Sequence, residues 1–220
     1  MQTFHDIQHI MYINLDKRTD RREKVEMEFT KKLAFPLSKI TRFPAIAMEN
    51  GAVGCSMSHL RCLEIAKERG WSHVLIVEDD IEFLQPALFL QHFSRFIRKH
   101  PMETWDVTLI AGNNMIPYRP VDDTAIKVLN CQTTTGYLVK ANYYDVLMNN
   151  IRQGLSLFLQ NPQDVNKYAI DKFWQTLQKT DKWYLVIPLT VVQREGFSDI
   201  EKKTTNFKEY MVMINKAYKY

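Results

Sequence analysis

Cysteine is scarce in this chain: three in 220 residues. An odd number cannot make a complete disulfide framework, and Cys55 and Cys62, seven apart on a predicted helix, lie too far along its axis to bridge. That usage fits a reducing compartment. No apolar run reaches the roughly 18 residues of a membrane span. The first residues, Met1-Gln2-Thr3-Phe4-His5-Asp6, lack the basic-then-apolar pattern of a secretory signal. A soluble, unprocessed, cytoplasmic chain is the expectation. One-sided charge is missing too. The 29 Lys and Arg against 25 Asp and Glu leave a formal net of +4, too mild for the strongly basic stripe of a nucleic-acid binder. No stretch is rich enough in Pro, Gly or Ser to mark a linker, and no internal repeat occurs. One domain over 1–220 is expected, with its core at about 10–200.

What is present is globular material. Hydrophobic residues make up 45% and charged residues 25%, which excludes disorder, collagen and coiled coil. A chain this long hides on the order of 70% of its unfolded surface. Ile10-Met11-Tyr12-Ile13 is apolar on both faces, as a strand covered on both sides should be. A helix is predicted from about Asp20 to Leu33, with Val25, Phe29 and Leu33 on one face and Asp20 and Glu23 spaced as a capping box. Ile40 to Phe43 reads as a short strand. A second helix is predicted over Cys55 to Arg69, stopped by Gly70. Val74-Leu75-Ile76-Val77 is the strongest buried strand. Phe89 to Arg98, Tyr143 to Ile151 and Ala169 to Gln178 look helical; Val107 to Ile110, Thr133 to Val139 and Tyr184 to Ile187 look extended. This alternation predicts an α/β fold with a mostly parallel sheet flanked by helices. The segment 201–220 differs in texture. Lys202, Lys203, Lys208, Lys216 and Lys219 alternate with Phe207, Tyr210, Met211, Met213 and Tyr218. It reads either as a final helix packing its Met/Tyr side on the domain or as a peripheral contact for an anionic membrane surface.

Three clusters can carry chemistry. Glu78-Asp79-Asp80-Ile81-Glu82 follows the strongest strand, at a carboxyl end of the sheet where open α/β folds bind ligands. Neighbouring carboxylates repel unless a cation is present, and hard cations such as Mg²⁺ or Mn²⁺ take such oxygen ligands. In an extended backbone Glu78, Asp80 and Glu82 would point one way and Asp79 the other. The plainer alternative is a solvated acidic turn. Arg18, Arg21 and Arg22 stand at the start of a helix, where the dipole disfavours cations. A phosphate-bearing ligand explains them, and so does pairing with Asp20, Glu23 and Glu26. Gly51 and Gly54 precede Cys55, Ser58 and His59. They would let backbone approach a ligand before opening a helix, while His59 alone reads as well as a structural histidine. No Cys-x-x-Cys pattern occurs, which argues against a cysteine-rich structural zinc site. There is no Walker loop and no Gly-x-Ser-x-Gly elbow.

Taken in order, these pieces resemble a known family. Tyr12-Ile13-Asn14-Leu15-Asp16-x-Arg18-x-Asp20-Arg21-Arg22, Gly51-x-x-Gly54-Cys55-x-x-Ser58-His59 and Val77-Glu78-Asp79-Asp80 look like successive signatures of family 25 glycosyltransferases. That family includes bacterial lipooligosaccharide galactosyltransferases, procollagen galactosyltransferases and homologues in large DNA viruses. Downstream, Thr134-Thr135-Gly136-Tyr137-Leu138, Ala169-Ile170-Asp171 and Gln193-Arg194-x-x-x-Ser198-Asp199-Ile200 are similar to its later motifs. The likeness runs from about Ile10 to Ile200.

The resemblance implies a GT-A-type nucleotide-sugar-binding fold, a divalent metal (Mn²⁺ or Mg²⁺) and a UDP-sugar donor. It implies Asp80 as principal metal ligand, with Asp79 and Glu78 beside it. It also implies Asn14, Leu15, Arg18 and Arg21 at the nucleotide, and Gly54, Ser58 and His59 shaping that pocket. Asp171 would face the acceptor and act as the base of an inverting transfer, with Asp199 and Glu195 in reserve; helix capping is its plainer role. GT-A enzymes often add a late histidine ligand, yet the last histidine here is His100. Gln193, Asp199 or another acid of the triplet would then complete the shell. Trp174, Tyr137 and Trp183 are candidates to stack on sugar or to fill the core. The acceptor would be a hydroxyl on a saccharide, a glycolipid or a collagen-like protein, in a bacterium or a virus-infected cell. Two alternatives stand beside this reading: a catalytically inactive module of the same fold, and a metal-dependent phosphodiesterase.

Overall fold

Strand parity organises the interior. The computed structural model describes residues 1–216. Its first half runs through β1 (Ile10–Asn14), α1 (Thr19–Met27), β2 (Ile40–Pro44), α2 (Gly51–Glu68), β3 (His73–Glu78), β4 (Ile81–Phe83) and α3 (Pro86–Lys99). Then come β5 (Val107–Asn114), β6 (Tyr118–Pro120), β7 (Ala125–Val128), β8 (Cys131–Lys140) and α4 (Tyr144–Gln160). Three short helices follow, α5 (Val165–Tyr168), α6 (Ile170–Phe173) and α7 (Gln175–Thr180). The chain closes with β9 (Trp183–Val186), β10 (Val191–Gln193), β11 (Gly196–Ser198), β12 (Lys203–Thr205) and α8 (Lys208–Met211).

Among the described residues the largest sheet has eight strands in the order β2-β1-β3-β8-β5-β9-β7-β6. The expected architecture of a central sheet between helices is what forms. β1 is parallel to β2 and β3, and β5 to β9. β8 runs antiparallel between β3 and β5, so the sheet is mixed. From Val107 to Lys140 the chain contains no crossover helix, and strands joined without one reverse direction. In β1 and β3 alternate residues feed opposite cores. Ile10, Tyr12, Leu75 and Val77 pack with Val25 and Phe29 and with the α3 phenylalanines. Met11, Ile13, Val74 and Ile76 pack with α2 and α4. Both faces are dry, which is why these strands read as unbroken apolar runs.

Local details depart from expectation at four places. α1 starts at Thr19 after Arg18, with no side-chain cap; Asp20 is held by Arg18 (Nε to Oδ1, 3.0 Å) instead of closing a capping box. Beyond Met27 the helix continues as a π-helical stretch, Glu28–Lys32. α2 begins at Gly51, four residues before the predicted start, because Asn50 caps it by accepting from the Ala52 and Val53 N–H groups. Gly54 therefore lies inside the helix. A Cβ there would come within 2.3 Å of the Ile46 carbonyl oxygen, so this glycine lets the 45–48 segment lie against the helix. Gly70, with φ +64°, does terminate α2.

The fourth departure is the C-terminal segment, where α8 is a single turn. Met211 is fully buried and its sulfur accepts the Gln193 N–H at 3.1 Å. Tyr210 is exposed. Lys208 pairs with Glu82 at 2.8 Å, and Lys216 donates to the Tyr210 and Met213 carbonyls. Two lysines of the supposed basic face are thus engaged internally, while Tyr218 and Lys219 lie outside the described residues. No helix among the described residues is long and apolar enough to cross a membrane.

Candidate functional site

β3 and β1 end side by side, with Glu78 opposite Ile13, and their carboxyl ends open into a cavity of about 470 Å³. Glu78 keeps the parity of Val74 and Ile76, so it faces α2. Its Oε1 accepts from Thr134 Oγ1 at 2.8 Å and lies 3.7 Å from Cys55 Sγ. After Glu78 the chain turns, and the expected alternation of the acids stops there. Asp79 and Asp80 share one partner, Arg21, whose Nη1 donates to Asp79 Oδ1 at 2.9 Å and Asp80 Oδ2 at 3.0 Å. Glu82 lies elsewhere, bound by Arg194 and Lys208.

Asp79 is set from behind. Asn14, at the end of β1 and 1% exposed, donates to Asp79 Oδ2 at 2.7 Å. Arg42 Nε in turn donates to Asn14 Oδ1 at 2.9 Å. Gln193 Nε2 donates to Asp80 Oδ2 at 3.0 Å. The other oxygen, Asp80 Oδ1, is buried without a hydrogen-bond partner. Such orphaned acceptors are rare in native interiors. Burial first, then the charge of Glu78, push the Asp80 pKa from 3.8 to about 7 against the pull of Arg21. Burial also raises Asp79, although Arg21 and Asn14 oppose it. Burial likewise pushes Glu78 upward, but His59 and then Thr134 outweigh it and the net shift is downward.

The arginines meet carboxylates. Arg18 binds Asp20 and Asp199, the latter at 2.7 Å; Arg22 binds Glu26 at 3.2 Å. Arg18 and Arg21 both donate to the Phe197 carbonyl, at 3.2 and 2.8 Å. They tie the β11 strand across the first cavity. Leu15, Arg21, Ser58 and Asp199 line that cavity with the acid triplet and Gln193. Asn14 and Gly54 act from behind it. Ser58 Oγ accepts the Ile46 N–H at 2.9 Å and donates to the Gly54 carbonyl at 2.7 Å, fixing the cavity-lining segment 45–48. Asp199 is claimed by Lys17 and Arg18, whereas Gln193 touches Asp80. Of the two late residues suggested for a metal shell, Gln193 is the one beside the acids.

A second cavity of about 320 Å³ adjoins the first, sharing Cys55, Glu78, Gln193, Ser198 and Ile200 as its wall. Asp171, from α6, lines it. Its Oδ2 accepts the Thr133 N–H at 3.1 Å, and burial raises its pKa. Thr133 has φ +71°, unfavourable for a β-branched residue, where the β5–β8 ladder slips register between Ala111 and Asn113. The reserve base Glu195 instead bonds Asn206 at 2.9 Å. Trp174, Tyr137 and Trp183 are fully buried and serve as core.

Motif reading missed three partners. Arg42 orients Asn14. Glu28, 2% exposed, joins the π-helical stretch to Arg194 at 2.5 Å and to the Phe83 N–H at 2.9 Å. Most notably, Cys55, His59 and Glu78 bring one donor atom each to within 4.8 Å of one another. The i, i+4 spacing of Cys55 and His59 was visible in the sequence; the approach of Glu78 to them was not.

No protein-family model matches the chain, and no curated protein matches it in sequence. Solved structures do match in shape. Mannose-1-phosphate geranyltransferase from Thermus thermophilus overlays with a TM-score of 0.44 at 8% identity, over 88% of this chain and 75% of that one. A proposed glucose-1-phosphate thymidylyltransferase from Bacillus anthracis gives 0.39 at 10% identity, over 82% and 68%. Scores that low carry no functional weight. A glycosyltransferase involved in the glycosylation of the major capsid of PBCV-1 gives 0.52 at 10% identity, over 88% of this chain and 95% of that one. The chain therefore shares its α/β fold, across nearly its whole described length, with a solved glycosyltransferase.

Proposed function

We propose that this protein is a metal-dependent glycosyltransferase of the family 25 type, moving a hexose, galactose or glucose, from a UDP-sugar to a hydroxyl acceptor. The observation that carries the reading is the Asp79–Asp80 pair at the end of β3. It is buried, sits on the larger cavity, and leaves Asp80 Oδ1 without a partner. The donor set there is carboxylate oxygen, which suits Mn²⁺ or Mg²⁺. Asp80 and Asp79 would hold the ion, with the Gln193 side chain in reserve. Bound there, a divalent cation supplies positive charge to a departing diphosphate.

The chain's own residues do the rest. Lys17, Arg21 and Lys202 on the cavity wall suit phosphate oxygens. Ala45, Ile46, Ala47 and Met48 offer an apolar surface for a flat base. The acceptor occupies the second cavity, across the wall formed by Cys55 and Glu78. Its hydroxyl oxygen attacks the anomeric carbon while the bond from that carbon to the diphosphate oxygen breaks. The hydroxyl proton passes to Asp171, whose raised pKa makes it a stronger base than an ordinary carboxylate near neutral pH. UDP leaves, and the configuration at the anomeric carbon inverts.

The test is calorimetric titration of UDP with and without Mn²⁺, followed by a hydrolysis screen of UDP- and GDP-sugars. Metal-dependent UDP binding and UDP release from one donor are expected, both lost in Asp80→Ala with folding verified by circular dichroism. Binding indifferent to the metal favours the inactive module, and release of inorganic phosphate favours a phosphodiesterase. Full activity in Asp80→Ala removes the acid pair from the mechanism.

A further inference from the structure

A second site stands behind the acid pair, on the opposite side of the β3 terminus. Cys55 and His59 are one turn apart on α2, and Glu78 reaches them from the sheet. Cys55 Sγ lies 3.7 Å from Glu78 Oε1, His59 Nε2 lies 3.8 Å from the same oxygen, and all three donors fall within 4.8 Å of one another. A tetrahedral zinc with ordinary bond lengths places its sulfur, nitrogen and oxygen ligands roughly 3.3–3.7 Å apart. Side-chain movements of up to about an ångström would close the cluster on an ion.

His59 supplies the second, independent observation. Its side chain is fully buried and Nε2 has no hydrogen-bond partner, which is an expensive state for an imidazole nitrogen. The other ring nitrogen, Nδ1, sits 3.0 Å from Tyr137 Oη. Without a metal an Nε2 proton faces Glu78; with one bound, Nδ1–H would donate to Tyr137 and the Nε2 lone pair would face the ion between Cys55 and Glu78. A hydrogen bond from the non-ligating ring nitrogen is the kind of outer-shell contact that orients metal-ligating histidines, here to a hydroxyl in place of the more usual carboxylate or carbonyl. Thr134 Oγ1 donates to Glu78 at 2.8 Å and orients the carboxylate.

From this geometry we infer that Cys55, His59 and Glu78 form a binding site for a thiolate-preferring divalent cation, Zn²⁺. Binding breaks the Cys55 S–H bond and releases its proton to solvent. The thiolate and the carboxylate then cancel the charge of the ion, while His59 binds as neutral imidazole. The soft sulfur ligand separates this site from the all-oxygen acid pair. Three protein ligands leave the fourth position for water or a substrate oxygen. Cys55 and Glu78 line both cavities, so that position lies at their common wall. The inference does not depend on the transferase reading.

The probe is Zn²⁺ alone, then Co²⁺, added to chelator-treated full-length protein. About one zinc per chain is expected, and cobalt should give thiolate-to-metal charge-transfer absorption. Cys55→Ala should lose both while keeping its circular dichroism. Cys62 and Cys131, also free thiols, are unchanged in that variant and serve as its internal control. Tyr137→Phe keeps all three ligands and should weaken zinc affinity by about 10–100-fold. Asp80→Ala should keep the zinc and the cobalt band even though it abolishes metal-dependent UDP binding. Zinc content in Cys55→Ala equal to wild type, or a cobalt complex without thiolate absorption, overturns the site. So does loss of the metal in Asp80→Ala, which would place the ion on the acid pair. Retained zinc in wild-type protein that fails to bind UDP even with Mn²⁺ added sinks the transferase reading and leaves this one standing.

Discussion

Replacing Asp80 by asparagine should make the metal-free protein more stable while destroying its capacity for a divalent ion. Asparagine has the same shape, and its carbonyl oxygen can accept the Gln193 and Arg21 N–H groups that Oδ2 accepts now. What is lost is a charge held beside Glu78 and Asp79 in a buried corner, where the Asp80 pKa rises from 3.8 to about 7. Between those values the folded chain binds a proton that the unfolded chain has released. Stability therefore falls as pH rises through that window. At 1.36 kcal/mol per unit the shift sets a ceiling of ~4 kcal/mol. Arg21 keeps only Asp79 as a charged partner in the variant, and three coupled acids share their protons, so the expected gain is ~1–3 kcal/mol. For a chain of this length that is a rise in Tm of about 2–10 °C at pH near 8. The gain should shrink toward zero as the pH falls to about 4. Thermal and urea unfolding across that range measure it, first without metal and then with Mn²⁺ and UDP. Wild type should be stabilised by the additions and Asp80→Asn should not. A variant less stable than wild type at high pH, or a gap that ignores pH, would refute the claim that this carboxylate is strained by burial.

Three other perturbations follow from named contacts. Arg21→Ala removes ion pairs of 2.9 and 3.0 Å to both acids and should destabilise by ~2–4 kcal/mol, tempered by proton uptake on the carboxylates. Added Mn²⁺ should recover part of that loss, and an unchanged urea midpoint would show the pairs to be idle. Gly54→Ala drives a methyl group into the Ile46 carbonyl at 2.3 Å. It should cost ~1–3 kcal/mol and weaken UDP binding, because Ile46 and Met48 line the donor cavity; titration beside denaturation separates the two effects. Asp171→Asn should lower kcat by ~10²–10⁴-fold with the donor KM nearly unchanged. A rise confined to that KM would assign Asp171 to donor binding.

The elements of this fold were legible because their signals are local. A strand dry on both faces must be apolar throughout, so Ile10–Ile13 and Val74–Val77 declared themselves, and the position of Glu78 at a strand end followed from the apolar run before it. Gly70 marked a helix end by the same local logic, since its backbone conformation strongly favours glycine. The motif order from Asn14 to Ile200 brought most of the lining residues of the first cavity into view. Contacts between distant segments were not legible. Nothing in the spacing of Glu78, Asp79 and Asp80 says that a turn sends one acid toward α2 and leaves the other two to share Arg21. The start of α2 escaped notice because Asn50 caps it from outside the apolar pattern, and Gly54 needs to be glycine only because Ile46 lies against it. Strand direction likewise depends on where the chain returns, so β8 could enter the sheet antiparallel without altering its own composition. Chain-local chemistry thus determined which residues carry charge and which must be buried. The tertiary structure alone decided which charges meet, because hydrogen bonds and ion pairs form between atoms a few ångströms apart, whatever number of residues separates them.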